Sequence, residues 1–337
     1  MPSLLSIPCE LRDEIIDIVI NDVRTIRLPG DVDVERKERS NFCEYLQEDE
    51  TTFRSDIQHP VDPTAYQTNT IGLLLTNHQL HSETEDRLRN KPTRYFLDVF
   101  LVEEAELWPT WTSIPRLDNR VDTLDVTFRI AHPPREQGGR GGLSDLNPMS
   151  SAFEKLLQVF FRFGPVIPSI KEPEFHDKFI SVRRVHFNFV TATNLSESLG
   201  IFPAYVGKNP RGLERILKTA TKHELFPAWY EKGKRYLMHP QTLATILKDY
   251  LDLVVANRTL QRQYGDQLFR RVGEIQFIID GTEFHRWDMA SQLSKGPTVG
   301  SDQWFGRGFE DMYQLWRREV IAVRNELGFP VPIEKSH

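Results

Sequence analysis

Apolar residues recur at helical spacing at the start of the chain: Ile7, Leu11, Ile15 and Ile18, with Arg12, Asp13 and Asp17 on the other side. The pattern predicts a helix over residues 3–23. Ser6 is placed to cap it, and Pro8 and Glu10 fall in the first turn, where a missing amide hydrogen leaves no intrahelical bond unmade. A short amphipathic helix can pack on its own domain or be offered to a partner, and both uses are open here. A second helix is predicted over residues 71–90, with Asn69-Thr70 as its cap and Asn90-Lys91-Pro92 as its stop. Between the two, residues 28–69 are polar and broken by Pro29-Gly30, Pro60 and Pro63. They predict a long, partly disordered loop with a short helix around Phe42–Leu46.

The period then changes from helical to alternating. Tyr95–Val102 is aromatic and β-branched and predicts a strand. Val121–Ile130 alternates, with Leu124, Val126, Phe128 and Ile130 on one face; Val182–Val190 repeats this with Val185, Phe187 and Phe189 inward, and Glu274–Asp280 is the fourth strand. Helical periodicity separates them, over Ser151–Phe163, Arg211–His223, Pro240–Thr259 and Phe309–Leu327, the last followed by Gly328 and Pro330. Strands separated by helices favour parallel pairing with right-handed crossovers. The expected fold is α/β (or α+β), an irregular, mostly parallel open sheet layered with helices. The three later strands share one build, a polar pair followed by alternating apolar residues. Their separations of about sixty and ninety residues are too irregular for a leucine-rich repeat. Gly138–Gly142 reads as a flexible loop.

Ile7-Pro8-Cys9-Glu10-Leu11, followed by an apolar helix, resembles the Leu-Pro-x-Glu-Leu opening of an F-box. Ile71-Gly72-Leu73-Leu74-Leu75-Thr76-Asn77-His78-Gln79-Leu80-His81-Ser82-Glu83-Thr84 looks like the helix that follows it in many fungal F-box-like proteins. Two motifs in the right order, covering roughly the first hundred residues, carry the resemblance. An insertion separates them. The resemblance implies F-box-like helices over residues 1–92, interrupted by the polar stretch 24–70, and a divergent α/β recognition region over 93–330. It also implies a non-catalytic role: the front helices dock the adaptor subunit of a cullin–RING ubiquitin ligase, and the remainder receives a protein substrate. By position, the docking residues are Leu5, Ile7, Pro8, Leu11, Ile15 and Val19, completed by Leu74, Leu75 and Leu80.

Composition narrows the alternatives. A chain of 337 residues with 39% hydrophobic and 27% charged residues is an ordinary globular composition, and a net charge of −6 gives no bulk drive toward nucleic acid or anionic membrane. No apolar run is long enough to span a bilayer, and acidic residues follow the first methionine too soon for a secretory signal. Cys9 and Cys43 are too few for a disulfide framework or a thiolate zinc site, and they suit a reducing cytoplasmic or nuclear setting. No cofactor or metal is expected.

Three groups of residues carry other chemistry. Lys208, Arg211, Arg215, Lys218, Lys234 and Arg235, interleaved with Trp229 and Tyr230, can hold an acidic or phosphorylated partner, which defines a stand-alone interaction domain as a second reading. Against it stands a solvated helix face with aromatics plugging the core. Asp280–Asp288 gathers Asp280, Glu283 and His285 after a strand, where α/β proteins place sites, and defines an unrecognised enzyme as a third; the competing reading is a solvated turn at Gly281. His78, His81 and Glu85 share a helix face at ligand spacing, although His-x-x-His without a general base fits no catalytic zinc signature. The sequence contains no nucleophile elbow, P-loop or dinucleotide fingerprint.

Overall fold

The computed structural model describes residues 4–25, 36–38, 57–60, 67–102, 106–131, 146–165, 179–192, 199–201, 204, 235–256, 263–295 and 309–332. Its centre is a six-stranded sheet. In chain order the strands are β3 (Arg94–Val102), β4 (Glu106–Ser113), β5 (Arg120–Ile130), β6 (Ser181–Val190), β9 (Val272–Ile279) and β10 (Thr282–Asp288). Two small ladders lie outside it: β1 (Arg36–Glu38) with β2 (Gln58–Pro60), and β7 (Leu199–Ile201) with β8 (Arg235–Leu237). The order across the sheet is β10-β9-β6-β5-β3-β4. The inner four strands are parallel, and the two outer strands are antiparallel to their neighbours. The chain is therefore α/β, with a mostly parallel mixed sheet, and the four strands expected from the sequence are the four parallel ones.

The parallel strands are laid down in one direction, β3, then β5, β6 and β9. Right-handed crossovers taken always in the same direction put every connection on the same face. The helices α4 (Leu146–Phe163), α5 (Pro240–Ala256), α6 (Gln263–Arg271) and α7 (Met289–Ser294) accordingly contribute to one hydrophobic core with the inward residues of the strands. Phe153 of α4 meets Phe128 and Phe187, and Leu243, Leu247 and Leu251 of α5 join the same core. The opposite face carries Asp125, His186 and Gln276 in one transverse row. This is why β5 and β6 alternate instead of running continuously apolar, as parallel strands covered on both faces do; β3 is buried on both faces from Leu97 to Val102.

The shared polar pair has a structural counterpart. Val121, Val182 and Val272 form one buried row, and Leu124, Val185 and Ile275 form the next. Even alternation allows one residue between rows on the same face. Each strand here has two: Asp122-Thr123, Arg183-Arg184 and Gly273-Glu274. The N–H groups of Asp122 and Thr123 both donate to the Thr93 carbonyl, the mark of a bulge. Gly273 is required at this point, because a Cβ there would lie 2.4 Å from the Arg183 carbonyl oxygen. Gly273→Ala is expected to cost about 1–3 kcal/mol by overpacking. Gly72→Ala, with nothing within 4 Å of the added carbon, should leave the chain at least as stable. Thermal melts of the two variants test the contrast.

At the C-terminus, α8 (Phe309–Leu327) closes with Gly328 at φ 69°, Gly328 N–H donating to Asn325 and Phe329 N–H to Arg324. The fully buried Arg324 side chain donates to the carbonyls of Phe269, Val272 and Pro330, fastening the helix to the start of β9.

Several boundaries differ from the sequence expectation. The first helix, α1, spans Cys9–Ile20; Ser6 ends a 3-10 turn, and Pro8 takes the N-cap position without a side-chain cap bond. The second helix is broken into α2 (Ile71–Leu74) and α3 (His78–Asn90), because Asn77 caps a new start by accepting from the Leu80 N–H at 3.0 Å. Thr70 takes the N-cap position of α2 as expected, though without a side-chain cap bond, and the side chains of Asn69 and Thr70 tie the helical unit to the sheet. The Asn69 amide donates to Asp22 O and Ser113 Oγ, and the Thr70 hydroxyl donates to Pro115 O. Within the expected loop 28–69, β1 pairs with β2, and Ile57 is buried beside Leu107 of β4. The segments Phe42–Leu46, Gly138–Gly142 and Arg211–His223 lie outside the described residues.

Candidate docking surface

α1 lies on α3 through its charged side. Arg12 is the centre: its Nε and Nη2 bind the two oxygens of Glu83 at 2.9 and 2.6 Å, and its Nη1 donates to the Ile7 carbonyl at 2.6 Å. One guanidinium thus holds α3 and the segment that leads into α1. Asp13 pairs with Arg87, and Asp17 with Lys91 at 2.6 Å. Ile16 and Ile20 pack with Leu88 and Leu73 in a small core of their own. The paired residues ascend together along both helices, so the helices run in the same sense. No short loop can join such a pair, which accounts for the long stretch between the two motifs. The bond from Arg12 holds the Glu83 carboxyl below its ordinary 4.5. Its contribution is therefore present above pH 4.5 and fades as pH falls through the lowered value.

Of the two orientations left open for α1, the structure takes the one that turns the apolar stripe outward. The side with Arg12, Asp13 and Asp17 faces the body, because its opposite charges stand on α3. The apolar stripe turns outward: Leu11 is 49% exposed, Ile18 is 70% exposed, and Ile15 between them is half-buried. Of the other residues assigned by position, Leu5, Pro8 and Leu75 are exposed, with Leu75 at 77%, while Ile7, Val19 and Leu74 are half-buried. Leu80 is buried, which removes it from the surface. Three exposed residues were not assigned, Ile18, Val23 and Ile71. Ile18 completes the i, i+4, i+7 stripe with Leu11 and Ile15, a signal already in the spacing. Six of the eleven exposed large hydrophobics among the described residues fall between Leu5 and Leu75, which marks this unit as the apolar part of the described surface.

The other candidate groups do not converge. Asp280–Asp288 is a hairpin rather than a loop. Asp280 and Gly281, at φ 47° and 83°, form the turn between β9 and β10, as the primed hairpin turns require. The Asp280 carboxylate accepts from the Thr191 N–H at 2.8 Å and its hydroxyl at 2.6 Å. A register shift between Glu283 and His285 separates their directions. Glu283 binds Gln276 and Arg286, whereas His285 lies edge-on against buried Trp287 at 4.3 Å, and burial pushes its imidazole pKa down. His81 is engaged on both nitrogens: Nδ1–H donates to the Leu74 carbonyl, and Nε2 lies 3.4 Å from Glu85. No group of three or more metal-binding side chains exists among the described residues, and no described helix is long and apolar enough to cross a membrane. Lys208, Arg211, Arg215, Lys218, Trp229, Tyr230 and Lys234 lie outside the described residues; Arg235 opens β8, its backbone paired with Leu199.

One buried carboxylate stands apart. Asp98 on β3 is 2% exposed; its Oδ2 accepts from Arg129 Nε at 2.7 Å, and its Oδ1 has no hydrogen-bond partner. Burial pushes its pKa up to about 6, against the pull of Arg129. A folded value above the ordinary 3.8 means the native state binds the proton more tightly, so stability falls as pH rises between about 4 and 6. Asp98→Asn should remove that slope and stabilise the chain by about 1–3 kcal/mol at neutral pH. Urea titrations across the window test this, and an unchanged slope would refute it.

No family model, no curated protein sequence and no solved structure matches this chain.

Proposed function

We propose that the chain is a non-catalytic, F-box-like adaptor. Its N-terminal helices dock the adaptor subunit of a cullin–RING ubiquitin ligase, and its α/β body receives a protein substrate. The observation that supports this reading is the outward stripe of Leu11, Ile15 and Ile18 on a helix whose charged side is consumed by α3. An internally packed helix would show the reverse. An exposed apolar stripe rimmed by polar residues is the form of a protein-docking site. The body then acts through proximity, raising the effective concentration of a bound substrate near the conjugating machinery.

The test is co-purification of the full chain with the ligase adaptor subunit. Stoichiometric capture that survives moderate salt is expected, because the contact is apolar. Failure of the purified pair to associate at micromolar concentration would overturn the reading.

A further inference from the structure

The open face of the sheet carries a second surface, on different residues. Arg94 of β3 is level with Thr123 of β5, and Thr123 is level with Arg184 of β6, so two arginines stand two strands apart, about 10 Å at the backbone. Phe96, Asp125 and His186 occupy the next row. The Arg94 Nε–H donates to Asp125 Oδ2, which leaves both Nη groups for another acceptor, and the guanidinium is steadied over the Phe96 ring at 4.7 Å. His186 turns Nδ1 to Asp125 at 3.0 Å, so its Nε2 points away from that bond. Arg184 is exposed and makes no ion pair among the described residues.

The exposures are asymmetric. The Arg94 side chain is 55% exposed, and the carboxylate that holds it is 17% exposed. Burial pushes Asp125 up, yet the bonds from His186 and Arg94 hold it below its ordinary value, so it stays charged beneath them. Around Arg94 solvent meets a cation with the compensating acid underneath; Arg184 has Glu274 beside it in the same row, 3.7 Å from Arg286. The neighbouring part of the face is different: Arg286 is already engaged by Glu274 and Glu283. The cationic group is therefore local.

We propose that Arg94, Arg184 and His186 form a docking site for an acidic segment of a protein partner, taking its side-chain carboxylates. Charge complementarity selects the chemistry, since a guanidinium fork with two free Nη groups matches a carboxylate bidentately. Two forks set this far apart suit successive acids on one chain. A net charge of −6 opposes association with nucleic acid, whose binding rests on phosphate neutralisation. The site is independent of the stripe on α1.

The experiment uses the full chain and a fluorescein-labelled peptide of about twelve alternating Glu and Ser residues, read by fluorescence anisotropy. Saturable binding is expected, weakened more than about tenfold in the Arg94→Gln/Arg184→Gln double variant. Arg184→Gln alone, which breaks no bond within the described chain, should cost several-fold with an unchanged melt. Arg318→Gln, on exposed α8 surface, and Leu11→Asp should bind as the parent does. Three outcomes would each overturn the proposal: no binding by the parent chain, undiminished binding by the double variant, or loss that follows Lys218→Gln/Lys234→Gln instead. Tighter binding of an oligothymidylate than of the peptide would overturn it as well.

Discussion

Leu11→Asp should abolish capture of the ligase adaptor subunit while leaving the chain folded. Leu11 is half-exposed on the outward side of α1 and contributes to neither hydrophobic core. A polar substitution at such a position changes stability by about 0.5 kcal/mol or less. In a docked complex the same carboxylate would be buried against apolar surface without a partner, at a cost of about 3 kcal/mol or more. That is a loss of over a hundredfold in affinity. Ile18→Asp should behave alike, being further along the same stripe. Ile16→Asp provides the contrast, since Ile16 is fully buried between the helices and its substitution should unfold the unit. Calorimetric titration with circular dichroism melts separates these outcomes. Binding by Leu11→Asp at parental affinity would place the contact elsewhere.

The largest effect on stability is expected at Phe187. Its ring is wholly buried at the middle of the sheet, 5.2 Å from Phe153, 5.4 Å from Phe277 and 6.1 Å from Phe128. Those rings come from one helix and two neighbouring strands, so the cavity left by Phe187→Ala cannot close by a local movement. A cost of about 3–5 kcal/mol is expected, a large share of the 5–15 kcal/mol typical of a folded chain. Phe179→Ala is the control, because Phe179 is 42% exposed and its ring contact is with Arg271 at 4.5 Å. It should cost about 1 kcal/mol or less. Urea unfolding should show a lowered midpoint for Phe187→Ala and little change for Phe179→Ala. Equal midpoints would show that the aromatic cluster does not hold the sheet together.

The parallel strands could be read from the chain because alternation in Val121–Ile130 and Val182–Val190 reflects one covered face and one polar face. The two outer strands could not. Pro109 interrupts β4 and reads as a breaker, yet it is tolerated on a strand near the border of the sheet. In β10, only Trp287 is buried, so no alternation survives. The site was half readable. Spacing revealed the stripe of Leu11, Ile15 and Ile18, but which side of α1 faces inward is decided by Glu83, Arg87 and Lys91, some seventy residues away. Periodicity treats Arg12, Asp13 and Asp17 as solvent-facing because it contains no information about partners at that distance. The turn at Gly281 was legible in the residue types, and its positive φ agrees, whereas β10 beyond it was not, because it lacks a pattern of its own.

Because the parallel strands advance in a single direction, the sheet has the logic of a ratchet. Each added step needs a buried row that matches the last, while the length of chain spent between steps is unconstrained. The matched valines at 121, 182 and 272 keep step across intervals of very different size. Divergence in such a molecule should gather in the connecting segments, leaving relatives little in common beyond the teeth.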